Sequence, residues 1–141
     1  MHPCDGGLTF HLLGLPDEAA LECSSFLRPI FEGFVATELV KHRAFAGRRP
    51  GSHWFRDQSD IEVDSVREGP GLAPILVEVK ASHTARSEAA RGILSLRKAA
   101  PDREAEDDVV YRGAHGMAPL VPGVLAVDVP TLHARLRARG W

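Results

Sequence analysis

Apolar positions recur with a helical period between about Pro29 and Arg43, where Leu27, Phe31, Phe34 and Val35 fall on one face. Ser25 can cap this helix, and Pro29 suits an early helical position, where its missing N–H costs least. Gly47, Pro50 and Gly51 end it. The period then shortens to two. His53 to Arg56 reads as extended, Asp57 to Asp60 as a turn, and Ile61 to Arg67 as a second strand, which predicts a hairpin. Gly69, Pro70 and Gly71 make the next turn, and Pro74 to Ala81 is an apolar strand suited to a centre covered on both faces. Ser87 to Ala100 predicts a helix with Ile93, Leu94 and Leu96 on its apolar side, Ser82 and Thr84 supplying caps before it. Pro101 to Asp108 reads as a charged connection, Val109 to Tyr111 as a short strand, and Gly113 to Gly123 as a loop. Val124 to Val129 is a last strand and Pro130 to Arg139 a terminal helix. The order α-β-β-β-α-β-β-α predicts an α/β fold, a central mixed sheet flanked by helices. Ahead of it, Leu8 to Leu15 is a short apolar segment closed by Gly14 and Pro16, and Asp17 can cap a brief helix from Glu18 to Cys23. Residues 1–25 read as a lead-in segment and residues 26–141 as one domain.

Composition narrows the class without naming a function. With 44% hydrophobic and 26% charged residues the chain suits a globular domain, and with only 6% aromatics its core must rest on Leu, Val, Ile and Ala. The net charge of −2 does not mark a dedicated nucleic-acid binder, but basic residues cluster at Lys41 to Arg49, Arg86 to Lys98 and Arg135 to Arg139. Cys4 and Cys23 form no CxxC pair, and no secretory leader precedes them, so a reduced, cytoplasmic protein is expected. No apolar run approaches a membrane span. The histidines, His11 and His83 among them, lack zinc-site spacing and read as surface or structural groups. Trp54 and Trp141 read as packing residues.

One stretch carries chemistry. In Glu78-Val79-Lys80, alternation along the strand puts the carboxylate and the ammonium on one face. Both are costly to bury on a central strand unless paired or bound to something. Asp64 lies 14 positions earlier on the preceding strand, where a hairpin would bring it to Glu78. Two converging carboxylates raise each other's pKa and repel unless a cation lies between them. Hard oxygen ligands of this kind suit Mg²⁺ or Mn²⁺. Glu62 shares the parity of Asp64, as an extra ligand or as part of a solvated face. On the long helix Glu32 borders the apolar stripe, while Glu38 falls within it and needs a partner, an ion pair ahead of a metal.

Phe31-Glu32-Gly33-Phe34-Val35, Asp64 and Glu78-Val79-Lys80 together resemble the PD-(D/E)xK, or restriction-endonuclease-like, superfamily: helix glutamate, strand aspartate, then ExK. With Asp5-Gly6-Gly7-Leu8, Leu12-Leu13-Gly14, Phe31 to Leu39, Phe55-Arg56-Asp57, Glu62-Val63-Asp64 and Val77 to Ala81, the chain is similar to a domain of unknown function found at the C-terminus of many prokaryotic AAA-type ATPases. The resemblance implies a nuclease-like domain, with Mg²⁺ (or Mn²⁺) held by Asp64, Glu78 and Glu32, directly or through water. It gives Lys80 the attacking water and the charge on the phosphate. Arg56 and Lys41 would contact a DNA backbone, and the roles of Glu38 and Glu62 stay open. The implied activity is metal-dependent phosphodiester hydrolysis or DNA binding, that of an Mg-dependent endonuclease. The ATPase signature GxxxxGK[ST] is missing, since Gly47-Arg48-Arg49-Pro50-Gly51 is not one, so an ATPase partner would be a separate or severed domain. The competing expectation is a non-catalytic regulatory or interaction module of a truncated ATPase, with Phe10, Leu12 and Leu13 exposed for association.

Overall fold

A computed structural model of the chain describes residues 6–49, 51–56, 58, 61–69, 72–99 and 105–140. Two short helices, α1 (Gly6–Leu12) and α2 (Glu18–Glu22), precede the long helix α3 (Leu27–Phe45). Three strands follow, β1 (Ser52–Arg56), β2 (Glu62–Gly69) and β3 (Leu72–Lys80). A 3₁₀ turn (Ser87–Ala90) runs into α4 (Arg91–Ala99), and then come β4 (Asp107–Tyr111), β5 (Met117–Val121), β6 (Val124–Val127) and α5 (Val129–Ala138). The strands form one mixed sheet in the order β1-β2-β3-β4-β6-β5. β1, β2 and β3 are an antiparallel meander, β3 and β4 run parallel, as do β4 and β6, and β5 closes the far edge antiparallel to β6. The parallel step from β3 to β4 requires a crossover, which α4 supplies.

Alternation along β3 divides the core between the two faces. Ile75, Val77 and Val79 pack with Val35 and Leu39 of α3 and with Leu132 and Leu136 of α5. Leu76 turns the other way and packs with Val63, Ala90, Ile93 and Val109 beneath the 3₁₀ turn and α4. Each aliphatic side chain fully buried in this way contributes about 1.5–3 kcal/mol. Glu78 and Lys80 share the parity of Leu76, so they belong to the α4 face of the sheet. Two buried arginines fasten α3 to β2: Arg67 Nη1 donates to Leu39 O at 3.1 Å, and Arg43 Nη1 to Glu68 O at 2.9 Å. On the opposite face α4 approaches β2 closely at Gly92, where a Cβ would meet Glu62 O at 2.1 Å, so any side chain there would push the helix off the strand.

The α/β architecture with a flanked mixed sheet agrees with the sequence pattern, and several local expectations are corrected. The long helix begins at Leu27 and runs to Phe45. Its entry is held by Ser24, whose Oγ accepts from the Phe26 N–H, and not by Ser25. Phe34 is 45% exposed, because the buried side of α3 follows Val35 and Leu39. Ser82 caps nothing on the following helix; its Oγ donates to Thr84 O at 2.6 Å inside the loop. The segment read as a loop from Gly113 to Gly123 contains β5, whose alternation is obscured by Pro119 and by a register shift between Pro119 and Val121. Asp107 and Asp108, read as part of a charged connection, begin β4 and are fully buried. Trp54 is largely exposed and donates its ring N–H to Glu62. The apolar segment from Leu8 to Leu15 is largely the helix α1. Met1 to Asp5, Pro50, Asp57, Ser59, Asp60, Pro70, Gly71, Ala100 to Glu104 and Trp141 lie outside the described residues, and with them Cys4 and most of the two turns.

Candidate functional site

The chemistry-bearing residues gather where the β2–β3 ladder ends. The register pairs Ser65 with Val77 and Val66 with Leu76 and ends there, just short of Asp64 and Glu78. Beyond it the ladder gives way to a side chain: Asp64 Oδ2 accepts from the Val79 N–H at 2.7 Å. The aspartate is thereby held between Glu78 and Lys80 along β3. Glu78 itself is nine-tenths buried, and its Oε1 accepts from Lys80 Nζ at 2.5 Å. Its other oxygen, Oε2, is buried with no hydrogen-bond partner among the described residues, although the backbone N–H of Asp64 also favours the ionised carboxylate. Buried polar atoms without a partner are uncommon, since each forfeits its hydration.

The electrostatics follow from that burial. Asp64 has its carboxyl pKa raised, chiefly by loss of water and then by the charges of Glu32 and Glu62, against the Val79 amide and Lys80. Glu78 is raised as well, by burial first and by the neighbouring Asp64 charge second, with Lys80 opposing. Two carboxylates thus share a partly dehydrated region, with the ammonium of Lys80 paired to Glu78.

Glu32 comes from α3, the helix that covers the opposite face of the sheet from Glu78 and Lys80. Its charge reaches Asp64, while its carboxylate accepts from Arg28 Nε at 2.6 Å. Arg28 was not singled out in the sequence, although its spacing of four from Glu32 is the signal of a helical ion pair. Glu38 binds Lys41 Nζ at 2.9 Å and His133 Nε2 at 3.3 Å, the ion pairing favoured for it. Those two residues and Lys41 line a cavity of about 390 Å³ with His42, Phe45 and Arg137, which shares no lining residue with the one beside Lys80. The structure therefore does not bring Lys41 to Glu78. Glu62 accepts from Trp54, and Arg56 is exposed on β1. Among the described residues no three Asp, Glu, His or Cys side chains converge closely enough to hold a metal ion. The cavity beside Lys80, about 460 Å³, is lined also by Ser82, Thr84, Arg86, Glu88 and Ala89.

The family description that matches this sequence is "Domain of unknown function (DUF4143)", over residues 28–131. The chain belongs to this family. The match spans every strand of the sheet and with them Glu32, Asp64, Glu78 and Lys80. No curated protein and no solved structure matches the chain. Nor is any helix among the described residues of this DUF4143 domain long and apolar enough to cross a membrane.

Proposed function

We propose that this DUF4143 domain is a restriction-endonuclease-like, PD-(D/E)xK module that binds and hydrolyses phosphodiesters of DNA with Mg²⁺ or Mn²⁺, working beside an AAA-type ATPase in the prokaryotic cytoplasm. The observation that carries the reading is the buried Glu78 Oε2, without a hydrogen-bond partner among the described residues and near the charge of Asp64. A pair of partly dehydrated carboxylates short of positive charge is the donor set a hard divalent ion takes. Mg²⁺ commonly uses only one or two carboxylates and completes its shell with water and substrate phosphate, so Asp64 and Glu78 fit it without a third close ligand. Glu32 would join through water, after giving up Arg28. The ion would polarise the phosphodiester and ease deprotonation of the attacking water.

The chain's own residues do the rest. Asp64 is oriented by the Val79 amide, which frees its second oxygen from the task of positioning. Lys80, partly exposed at the cavity, can leave Glu78 for the charge that builds on the phosphate in the transition state. Arg56, exposed on β1, would contact a backbone phosphate. The test is incubation of the purified protein with plasmid, single-stranded and branched DNA in Mg²⁺ or Mn²⁺. Metal-dependent cleavage lost in a Glu78→Ala, Lys80→Ala double variant is expected; cleavage that persists there removes the assignment. The ATPase partnership rests on the resemblance, and the reading frame upstream of the gene tests it.

A second reading, a non-catalytic interaction module, is favoured by one feature. α1 presents Leu8 and Leu12 to solvent, Leu12 at 74% exposure. It expects self-association or capture of an ATPase through that helix, and a Leu12→Asp variant that loses it. A monodisperse monomer in both proteins counts against it.

A further inference from the structure

The loop after β3 carries a cation that the reading above leaves unused. We propose that Arg86 is a substrate-binding residue of this site, gripping a phosphate of a nucleic-acid strand that neighbours the phosphodiester facing Lys80. The inference rests on the nuclease-like reading and names the part of the substrate held beyond the reacting group.

Arg86 and Lys80 line the same cavity, with Ser82 and Thr84 between them in sequence. Its volume of about 460 Å³ lies in the range of small-ligand sites, with room for a phosphate and its sugar. The two cations differ in how they are held. Lys80 is paired with Glu78. The guanidinium of Arg86 forms no ion pair or hydrogen bond among the described residues, whereas Arg28, Arg97, Arg112, Arg135 and Arg139 each meet a carboxylate. A guanidinium offers two parallel N–H groups to phosphate oxygens, a geometry an ammonium cannot reproduce.

The loop that presents Arg86 is already fixed. The Arg112 N–H donates to Ser82 O at 3.0 Å, and Ser82 Oγ donates to Thr84 O. His83 lies 3.7 Å from Glu22, which is itself clasped by the Arg112 guanidinium. Little ordering of the backbone remains for the moment of binding, so the grip loses little affinity to entropy. Glu88 lines the cavity too, and its charge opposes an anion there.

The experiment measures binding of a fluorescein-labelled single-stranded DNA 15-mer by anisotropy, without divalent ions, across a series of salt concentrations, and cleavage of the same strand in Mn²⁺. Arg86→Ala is expected to weaken binding about tenfold at low salt and to lower the slope of log K against log salt by about 0.7, the value for one phosphate on a single strand. Arg86→Lys restores that slope with intermediate affinity, and Glu88→Gln tightens binding. Cleavage by Arg86→Ala shows a raised KM with kcat little changed. Wild-type binding and cleavage with an unaltered slope and KM in Arg86→Ala overturn the role of Arg86 and leave the nuclease reading standing. A wild-type protein that neither binds nor cleaves the strand overturns both.

Discussion

Two pairs of carboxylates lie on this sheet, one fully and one partly buried, and they are matched in different ways. Asp107 and Asp108 begin β4 and are fully buried. Successive side chains of a strand face opposite ways, so each aspartate meets the helix layer on its own side. Asp107 takes Arg97 from α4 at 2.7 Å and the Leu76 N–H at 2.8 Å. Asp108 takes Arg135 from α5 at 2.9 Å, with Arg139 at 3.8 Å from its second oxygen. Burial still outweighs these arginines and pushes the Asp108 pKa up to about 6. At Glu78 the paired cation among the described residues is Lys80, two positions from Glu78 on the same strand and open to a cavity, while Arg28 acts on Asp64 only through its charge. Arginines locked between layers make an acid pair part of the architecture. A lysine at the open end of a strand can be displaced, which leaves the carboxylates to another cation.

The comparison breaks first at Arg97. Arg97→Ala removes the guanidinium from the fully buried Asp107 and is expected to cost about 3–5 kcal/mol, the usual penalty for removing one partner of a buried pair, whereas Lys80→Ala, which removes a partly exposed ammonium, should cost less. Urea denaturation of both variants checks this, and equal losses would erase the distinction. Next in size is the response to metal. Mg²⁺ or Mn²⁺ at a hundredfold excess over Kd should stabilise the wild type by about 2.7 kcal/mol, read as a rise in Tm that Glu78→Gln lacks; a Tm indifferent to both ions would remove the cation from the site. A third effect concerns pH. The Asp108 carboxyl titrates higher in the folded chain than in the unfolded one, so the folded state binds the extra proton between pH 3.8 and about 6. Its contribution to stability therefore falls as pH rises through that window, by at most about 1.4 kcal/mol per pH unit. Asp108→Asn should lack this fall; parallel pH profiles for variant and wild type would contradict it. Smallest is Asp64→Asn. The amide can still accept from the Val79 N–H while relieving repulsion with Glu78, so metal-free stability should rise by about 1 kcal/mol while metal binding is lost. A destabilised Asp64→Asn protein would mean that the carboxylates are not in conflict.

Much of the frame was legible in the sequence, because it rests on local rules. The long helix, the meander and the apolar run of β3 follow from period and turn residues, and alternation alone puts Glu78 and Lys80 on one face. Asp17 and Asp128 cap α2 and α5 as short polar residues ahead of apolar helices do. β5 escaped notice because Pro119, Gly116 and Gly123 resemble loop chemistry, and an edge strand tolerates them. Phe34 was misjudged because a helical wheel cannot say which part of a broad apolar face the sheet will cover. The role proposed for Arg86 has no signature in the sequence, since it comes from a guanidinium unpaired among the described residues and from a cavity shared with Lys80.

The sequence by itself determined the order of the elements apart from β5, the two-sided burial of β3 and the shared face of Glu78 and Lys80, since each depends on residues a few positions apart. Only the tertiary structure decided which acids are neutralised. Asp107 and Asp108 look like loop charge until Arg97 and Arg135 arrive from separate helices, and Asp64 meets β3 only through strand register. Charge pairing depends on distance in space and on the water removed around it, and a linear pattern encodes neither.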